Sequence, residues 1–275
     1  MSPGTLAGSD GHTLHYDSWH VDRPRGRVLI LHGLGEYGGR YASAARAANG
    51  ADCEAFALDQ RGHGRSDGQR GHTRSLEGVV TDVGRFRDLL GSGEPQIPTF
   101  LLGHSVGGLV ALRYLQSSHG RGVQGGILAA PFLAVSMHTP KWKLRLGEWA
   151  SRRLPSMTMD NGIRLEDQFR LPQERLETQR DRLTHRRISA RMWSELQRGA
   201  NLATAAAEAV ECPLLIQVPG DDRILSSAAT LRLAERLTAP SDVRTYEGAY
   251  HDLYRDPVRD RALADLTRWL QDRIG

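Results

Sequence analysis

The sequence predicts an α/β fold, a mostly parallel central sheet with helices on both faces. Short, continuously apolar runs recur along the chain, and strands buried on both faces read as continuous rather than alternating runs. Stretches with helical periodicity separate these runs, the alternation that builds a parallel sheet. Most of the runs end at Gly or Pro, so the chain turns where a strand would reach the sheet edge.

The elements follow in order. Arg27–His32 reads as a strand ending at Gly33. Glu54–Asp59 is a second, ending at the turn around Arg61-Gly62-His63-Gly64. Thr99–Leu102 leads into a glycine-rich turn. Gly126–Ala130 ends at Pro131, Pro213–Val218 at Pro219-Gly220, and Val243–Tyr246 near Gly248. Helices are predicted over Tyr41–Ala48, Leu76–Leu90, Leu109–Ser117, Ala228–Leu237 and Arg259–Arg273. One region breaks the alternation. Phe132–Glu211 is rich in Arg, Leu, Trp and Met, carries no clear strand and reads as helical. The predicted organisation is a sheet-bearing domain of residues 1–131 and 212–275, with a helical cap over residues 132–211. Lids of this kind vary from protein to protein and set substrate range.

A chain of 275 residues can bury a sizeable core. The net charge of +4 comes almost wholly from arginine, because Lys141 and Lys143 are the only lysines. No basic run is interleaved with aromatics, so a nucleic-acid partner is not expected. Cys53 and Cys212 sit in apolar, strand-like runs and are expected as buried free thiols, without a disulfide framework or a metal site. Met1–Leu14 is polar and has no apolar signal region, and no run approaches a membrane span. A cytoplasmic location is the default expectation.

The most specific signal is Gly103-His104-Ser105-Val106-Gly107, a G-x-S-x-G pentapeptide between an apolar strand and a helix. That setting is a nucleophile elbow, a sharp turn that lifts Ser105 Oγ toward a substrate. A serine nucleophile needs a base, and the base needs an orienting carboxylate. His251 follows the last strand and is the only histidine after His185, which makes it the candidate base. Asp221 and Asp222 follow the preceding strand. Asp222 is the preferred carboxylate, and Asp221 is expected to shape the turn through its side chain. The backbone N–H of Val106 and that of Leu34, in His32-Gly33-Leu34-Gly35-Glu36, are the candidate oxyanion donors. His32 is expected to organise that loop.

Other features carry two readings each. Arg61, His63 and Arg65 form either a rigid, Gly-punctuated turn or an anion site. Trp142, Leu146 and Trp149 fall on one helical face with basic residues around them. That stripe either packs the cap onto the domain below or touches a membrane or micelle surface in passing. A pocket beneath it is expected to be largely apolar. Gly33, Glu36, Tyr37, Trp142, Leu146 and Trp149 are the candidate substrate-binding residues.

The blocks HGLGEYGGRY (His32–Tyr41), DQRGHGRSDGQRGH (Asp59–His72), GHSVGG (Gly103–Gly108) and YEGAYHDL (Tyr246–Leu253) resemble the monoacylglycerol lipase and lysophospholipase branch of the α/β-hydrolases, a serine aminopeptidase S33-like group. The likeness covers the chain outside the cap. Within the cap, Asp181-Arg182-Leu183 is similar to a short Asp-x-Leu element of that family. The resemblance implies an α/β-hydrolase fold with Ser105, Asp222 and His251 as triad and Leu34 and Val106 as oxyanion donors. It implies hydrolysis of single-chain acyl esters, above all monoacylglycerols, with no metal or organic cofactor. A lysophospholipase, carboxylesterase or thioesterase would use the same triad, as would an aminopeptidase or an acyltransferase. A binding module on the same scaffold is the rival from another class. Tyr37 departs from the His that many relatives carry after HGxGE, and Pro219 replaces a common Gly. Nothing in the sequence indicates an oligomeric state.

Overall fold

The computed structural model of this chain describes residues 1–91, 97–136 and 148–274. Ten strands are present among them: β1 (Ser2–Ala7), β2 (Thr13–Trp19), β3 (Gly26–Leu31), β4 (Cys53–Leu58), β5 (Thr99–His104), β6 (Gly125–Ala129), β7 (Thr158–Asp160), β8 (Arg187–Ser189), β9 (Leu214–Pro219) and β10 (Ser241–Tyr246). Eight of them form one sheet in the order β1-β2-β4-β3-β5-β6-β9-β10. From β4 to β10 every pairing is parallel, whereas β2 joins β4, and β1 joins β2, antiparallel. The expected doubly covered parallel sheet is present.

Residues of β3 alternate between two cores. Leu29 and Leu31 face the layer of α2 (Leu76–Gly91) and α3 (Val106–Leu115). Val28 and Ile30 face α1 (Ala42–Asn49) and the C-terminal helix Arg259–Gln271. Both faces are apolar, so the strand reads as a continuous run. The α1 helix offers Ala44, Ala45 and Ala48 to its core, all fully buried, and such small side chains let the helix sit close to β4.

Three expectations need correction. The polar N-terminus forms β1 and β2, which the sequence did not signal. The outer strand β1 stays mostly exposed and is held by its ladder to β2, from Ser2↔Ser18 to Ala7↔Thr13. A strand of that kind has no need of an apolar run. Cys53 is buried in β4 as expected, but Cys212 is half-buried and precedes β9. The third concerns 132–211, which is not helical throughout. Its described part holds a short antiparallel pair, β7 with β8. Helical residues 148–153 precede this pair, and α4 (Leu165–Gln168) and α5 (Pro172–Arg180) lie between its strands. After it, α6 (Ala190–Ala205) buries Leu196, Ala200 and Ala203 in the same core as Leu76 and Leu109. A Cβ on Gly199 would strike the Leu76 side chain, so α6 packs hard against α2. It belongs to the helix layer beneath the sheet edge. No helix among the described residues is long and apolar enough to cross a membrane.

Candidate active site

Parallel strands bring their carboxyl ends to one edge, and loops beyond that edge can meet there. Register pairs Leu31 with Gly103, His104 with Ala129, and Ala129 with Gln217. The loops after β3, β5, β9 and β10 therefore share one space. Ser105 stands between β5 and α3 with φ 55° and ψ −119°. A non-glycine residue held there stores backbone strain, on the order of 1–3 kcal/mol. The positive φ falls on the serine, not on its glycine neighbours. Those glycines answer a shortage of space. A Cβ on Gly107 would run into the carbonyl oxygens of Leu31 and His32, and one on Gly103 into the backbone of Gly107. The turn is pinned by Ser105 N–H donating to Ala129 O at 3.0 Å and by Phe132 N–H donating to Ser105 O at 2.9 Å.

His251 Nε2 lies 2.9 Å from Ser105 Oγ, and His251 Nδ1 lies 2.8 Å from Asp222 Oδ2. The three side chains stand in one hydrogen-bonded line and are nearly closed to solvent. Asp222 Oδ1 accepts N–H bonds from Ile224 and Leu225, both at 2.9 Å. Burial pushes the Asp222 carboxyl up. The charge and hydrogen bond of His251, with the Leu225 and Ile224 N–H groups, outweigh burial and hold it below the usual carboxylate range. The Asx-type turn expected of Asp221 is thus made by Asp222. Asp221 is exposed and, among the described residues, its side chain pairs only with Arg223, at 3.3 Å. Its backbone N–H, with that of Gly220, ties the acid loop to the base loop through Ala249 O and Tyr246 O.

Among the described residues the N–H groups of Leu34 and Val106 donate to no other protein group. Val106 heads α3, where the helix leaves its first N–H groups unpaired. Gly35, at φ 76°, lets the loop after β3 press its backbone onto His185, whose N–H donates to Gly35 O at 2.9 Å. A Cβ at Gly35 would hit the His185 carbonyl.

Comparison with known proteins places the chain in a family. The family model described as serine aminopeptidase, S33, matches residues 22–258. The chain belongs to the S33 family. A monoacylglycerol lipase of Mycolicibacterium smegmatis is 30% identical, over 99% of this chain and 98% of its own. An uncharacterized abhydrolase domain-containing protein of Dictyostelium discoideum is also 30% identical over 99% of this chain, which spans 29% of that protein's length. A crystal structure of Paleococcus ferrophilus monoacylglycerol lipase superposes with a TM-score of 0.87 at 30% identity, covering 94% of this chain and 99% of that one. The fold is that of the α/β-hydrolases.

The S33 site opens into a cavity of about 810 Å³ lined by Gly33, Leu34, Glu36, Ser105 and His251 from the sheet edge, and by residues between Asn161 and Arg187 above it. The expectation of a largely apolar pocket is met only in part among the described residues. Leu34, Ile163, Leu165 and Ile224 are apolar, but Asn161, Arg164, Glu166, Gln168, Arg175, Gln179, Arg186 and Arg187 also line the space. Sequence periodicity missed this because the residues come from short turns and helices of one or two turns. Arg175 and Arg187 form no ion pair with a carboxylate among the described residues; Arg175 instead donates to the carbonyls of Phe169 and Arg170.

The remaining sequence candidates fall as follows. Gly33 and Glu36 border the cavity, but the Glu36 carboxylate is turned into a buried network with Tyr41 and Arg40. Tyr37 does not line the cavity; its hydroxyl donates to Asp181 Oδ2 at 2.9 Å. Trp149 is exposed and also away from the cavity lining. Trp142 and Leu146 lie outside the described residues. Arg61 pairs with Asp10 and Asp82, and Arg65 with Asp17 and Asp59. Their charges are answered within the protein, so this segment is the rigid turn and not an anion site. His32 organises its loop as expected. It receives Gln60 N–H at Nε2, so its Nδ1–H donates to Gly33 O at 2.7 Å. Sequence reading did not single out Tyr41 and Arg40 as site residues, nor give His104 any role beyond its place in the pentapeptide.

Proposed function

We propose that this chain is a serine ester hydrolase acting on single-chain acyl esters, with monoacylglycerol as the first substrate to test. The observation that carries this reading is the unbroken line Ser105–His251–Asp222 beside an open cavity. The names of the M. smegmatis and P. ferrophilus relatives support the substrate. In this mechanism Ser105 Oγ attacks the ester carbonyl while His251 Nε2 takes its proton. The carbonyl oxygen becomes an oxyanion and is met by the N–H groups of Leu34 and Val106. His251 returns the proton to the leaving alcohol. Water, deprotonated by His251, then cleaves the acyl-enzyme by the same route. Asp222 fixes the imidazole tautomer and balances the imidazolium.

The cap in this reading is the stretch 132–211, of whose described residues those from Asn161 to Arg187 supply the upper lining. Its outer side exposes Trp149, Leu154, Met157 and Met159 close to Arg152 and Arg153. Apolar and cationic side chains together suit passing contact with an anionic lipid surface.

A second reading has its own support. Arg175 and Arg187 face the cavity without carboxylate partners, and a lysophospholipid brings a phosphate that a neutral glycerol head lacks. The deciding experiment is a hydrolysis panel with purified protein and its Ser105→Ala variant on 1- and 2-monoacylglycerols, lysophosphatidylcholine, short p-nitrophenyl esters and an aminoacyl anilide. Ser105-dependent rates highest on monoacylglycerol support the first reading, and rates highest on lysophosphatidylcholine support the second. Turnover confined to the anilide, or surviving Ser105→Ala, overturns both.

A further inference from the structure

His104, the residue before Ser105, is fully buried and both of its ring nitrogens are engaged. Nε2 lies 3.2 Å from the carbonyl oxygen of His251. A carbonyl only accepts, so Nε2 carries a proton. Nδ1 lies 2.7 Å from the hydroxyl of Tyr41. The one proton of that hydroxyl goes to Glu36 Oε2, 2.6 Å away, and Gly33 N–H donates to the same tyrosine oxygen at 3.2 Å. Tyr41 therefore has no proton left for His104, and Nδ1 must donate as well.

The same protons could be arranged with a neutral ring and a protonated Glu36. The surroundings of Glu36 oppose that. Gly33 N–H reaches Oε2 at 3.3 Å, and the Arg40 guanidinium, itself only 4% exposed, reaches Oε1 at 3.4 Å. Arg255 adds a second cation from the base loop. Two cations and an N–H stabilise the carboxylate, not the acid.

We propose that His104 is held as an imidazolium and, through Tyr41 and Glu36, is a positioning residue that locks the loop after β3 and the His251 loop onto the Ser105 turn. The lock joins three segments far apart in sequence. Glu36 and Tyr41 hold the Gly33 N–H next to Leu34. His104 holds the backbone of His251. Ser105 is bonded directly to His104. Facing groups come from every side: Glu36, Arg40 and Tyr41 below, His251, Asp252 and Arg255 from the base loop, and His32 from the end of β3. Burial would lower the His104 ring, but its bonding to Glu36 and the charges of Asp252 and Glu36 reverse this and raise it. For Glu36, burial pushes upward and is outweighed by His104, Arg40 and Arg255, leaving it well below the carboxylate range.

The functional part of this inference rests on the hydrolase reading; the protonation part does not. The test begins with ¹⁵N-histidine NMR on the intact protein over about pH 6–9, where a free histidine of pKa ~6.5 becomes mostly neutral. The expected result is two protonated nitrogens on His104 throughout, lost in Tyr41→Phe and Glu36→Gln. A single protonated nitrogen in the wild type overturns the proposal, even if every variant fails to fold. In turnover, folded Tyr41→Phe and Glu36→Gln should lose roughly 10–100-fold in kcat with KM within about twofold, as misplaced reacting groups do. Glu36→Asp, which keeps the charge, should retain more activity than Glu36→Gln. Equal rates for Glu36→Gln and wild type would remove the positioning role. An inactive wild type whose His104 is an imidazolium would instead count against the hydrolase reading.

Discussion

Tyr37 donates its hydroxyl to Asp181 Oδ2 at 2.9 Å, joining the loop that follows β3 to the chain that roofs the cavity. Arg40 reinforces the joint, with NH1 at 3.5 Å from the same carboxylate oxygen and NH2 donating to Thr178 Oγ1 at 2.7 Å. Tyr37 is therefore a tie between layers. Tyr37→Phe removes one half-buried hydrogen bond worth about 1 kcal/mol, so the melting temperature should fall by roughly 2–4 °C. Asp181→Ala should cost more, because it also takes from the buried Arg40 one of its two carboxylate partners among the described residues. Calorimetry on both variants checks the order.

Ser105→Ala should abolish turnover, by about a thousandfold or more, while leaving the fold intact. Comparison with Ser105→Gly isolates the strain at φ 55°. Glycine adopts positive φ freely, so the glycine variant should be the more stable of the two inactive proteins by about 1 kcal/mol. Denaturant midpoints of the pair measure this difference.

Asp222→Asn keeps shape but gives His251 Nδ1 an amide partner instead of a carboxylate. The tautomer that leaves Nε2 free to accept the Ser105 proton is no longer enforced. A loss of about 10⁴ in kcat with little change in melting temperature is expected. Steady-state kinetics beside circular dichroism would test it.

Gly107→Ala would drive a Cβ into the carbonyls of Leu31 and His32. Neither can retreat without bending β3, so destabilisation of about 3 kcal/mol or more is expected, at the upper end for overpacking. Chemical denaturation, or failure to recover soluble protein, would register it.

Acid should weaken the fold through a row of neighbouring histidines. The His32 and His63 rings lie 5.0 Å apart, and those of His63 and His185 4.8 Å apart. His63 Nε2 is buried with no hydrogen-bond partner among the described residues. Burial lowers all three, His185 to about 4 from an ordinary 6.5. Below about pH 6.5 the unfolded chain binds protons that the folded chain refuses, so stability falls as pH drops toward 4. Urea midpoints at several pH values should show this slope, and His185→Gln should flatten it.

The alternation of apolar runs and helical stretches made the sheet legible, because a strand covered on both faces is apolar at most positions. Pairing with a neighbour holds β1 and β2, and a polar edge strand leaves little trace in its own residues. The nucleophile elbow was legible for a local reason: the glycines beside Ser105 answer clashes with backbone a few ångströms away. The polar part of the cavity lining was not legible, since it comes from turns and short helices with no period to read. Nor was the His104 network, whose partners Tyr41 and His251 lie 63 and 147 positions away.

By itself the sequence determined the doubly covered sheet, the Ser105 turn and the loops that would carry an acid and a base. Those features leave their mark in short contiguous stretches, as hydrophobic run length and glycine placement. The tertiary structure turns Asp222, the carboxylate the sequence already preferred over Asp221, inward to His251. It also decided that Glu36 and Tyr37 brace the site instead of facing a substrate, and that α6 joins the core beneath the sheet. Each outcome depends on which carboxylates, cations and backbone N–H groups meet after folding, and the free energy of a buried charge is set by those neighbours and not by its place in the chain.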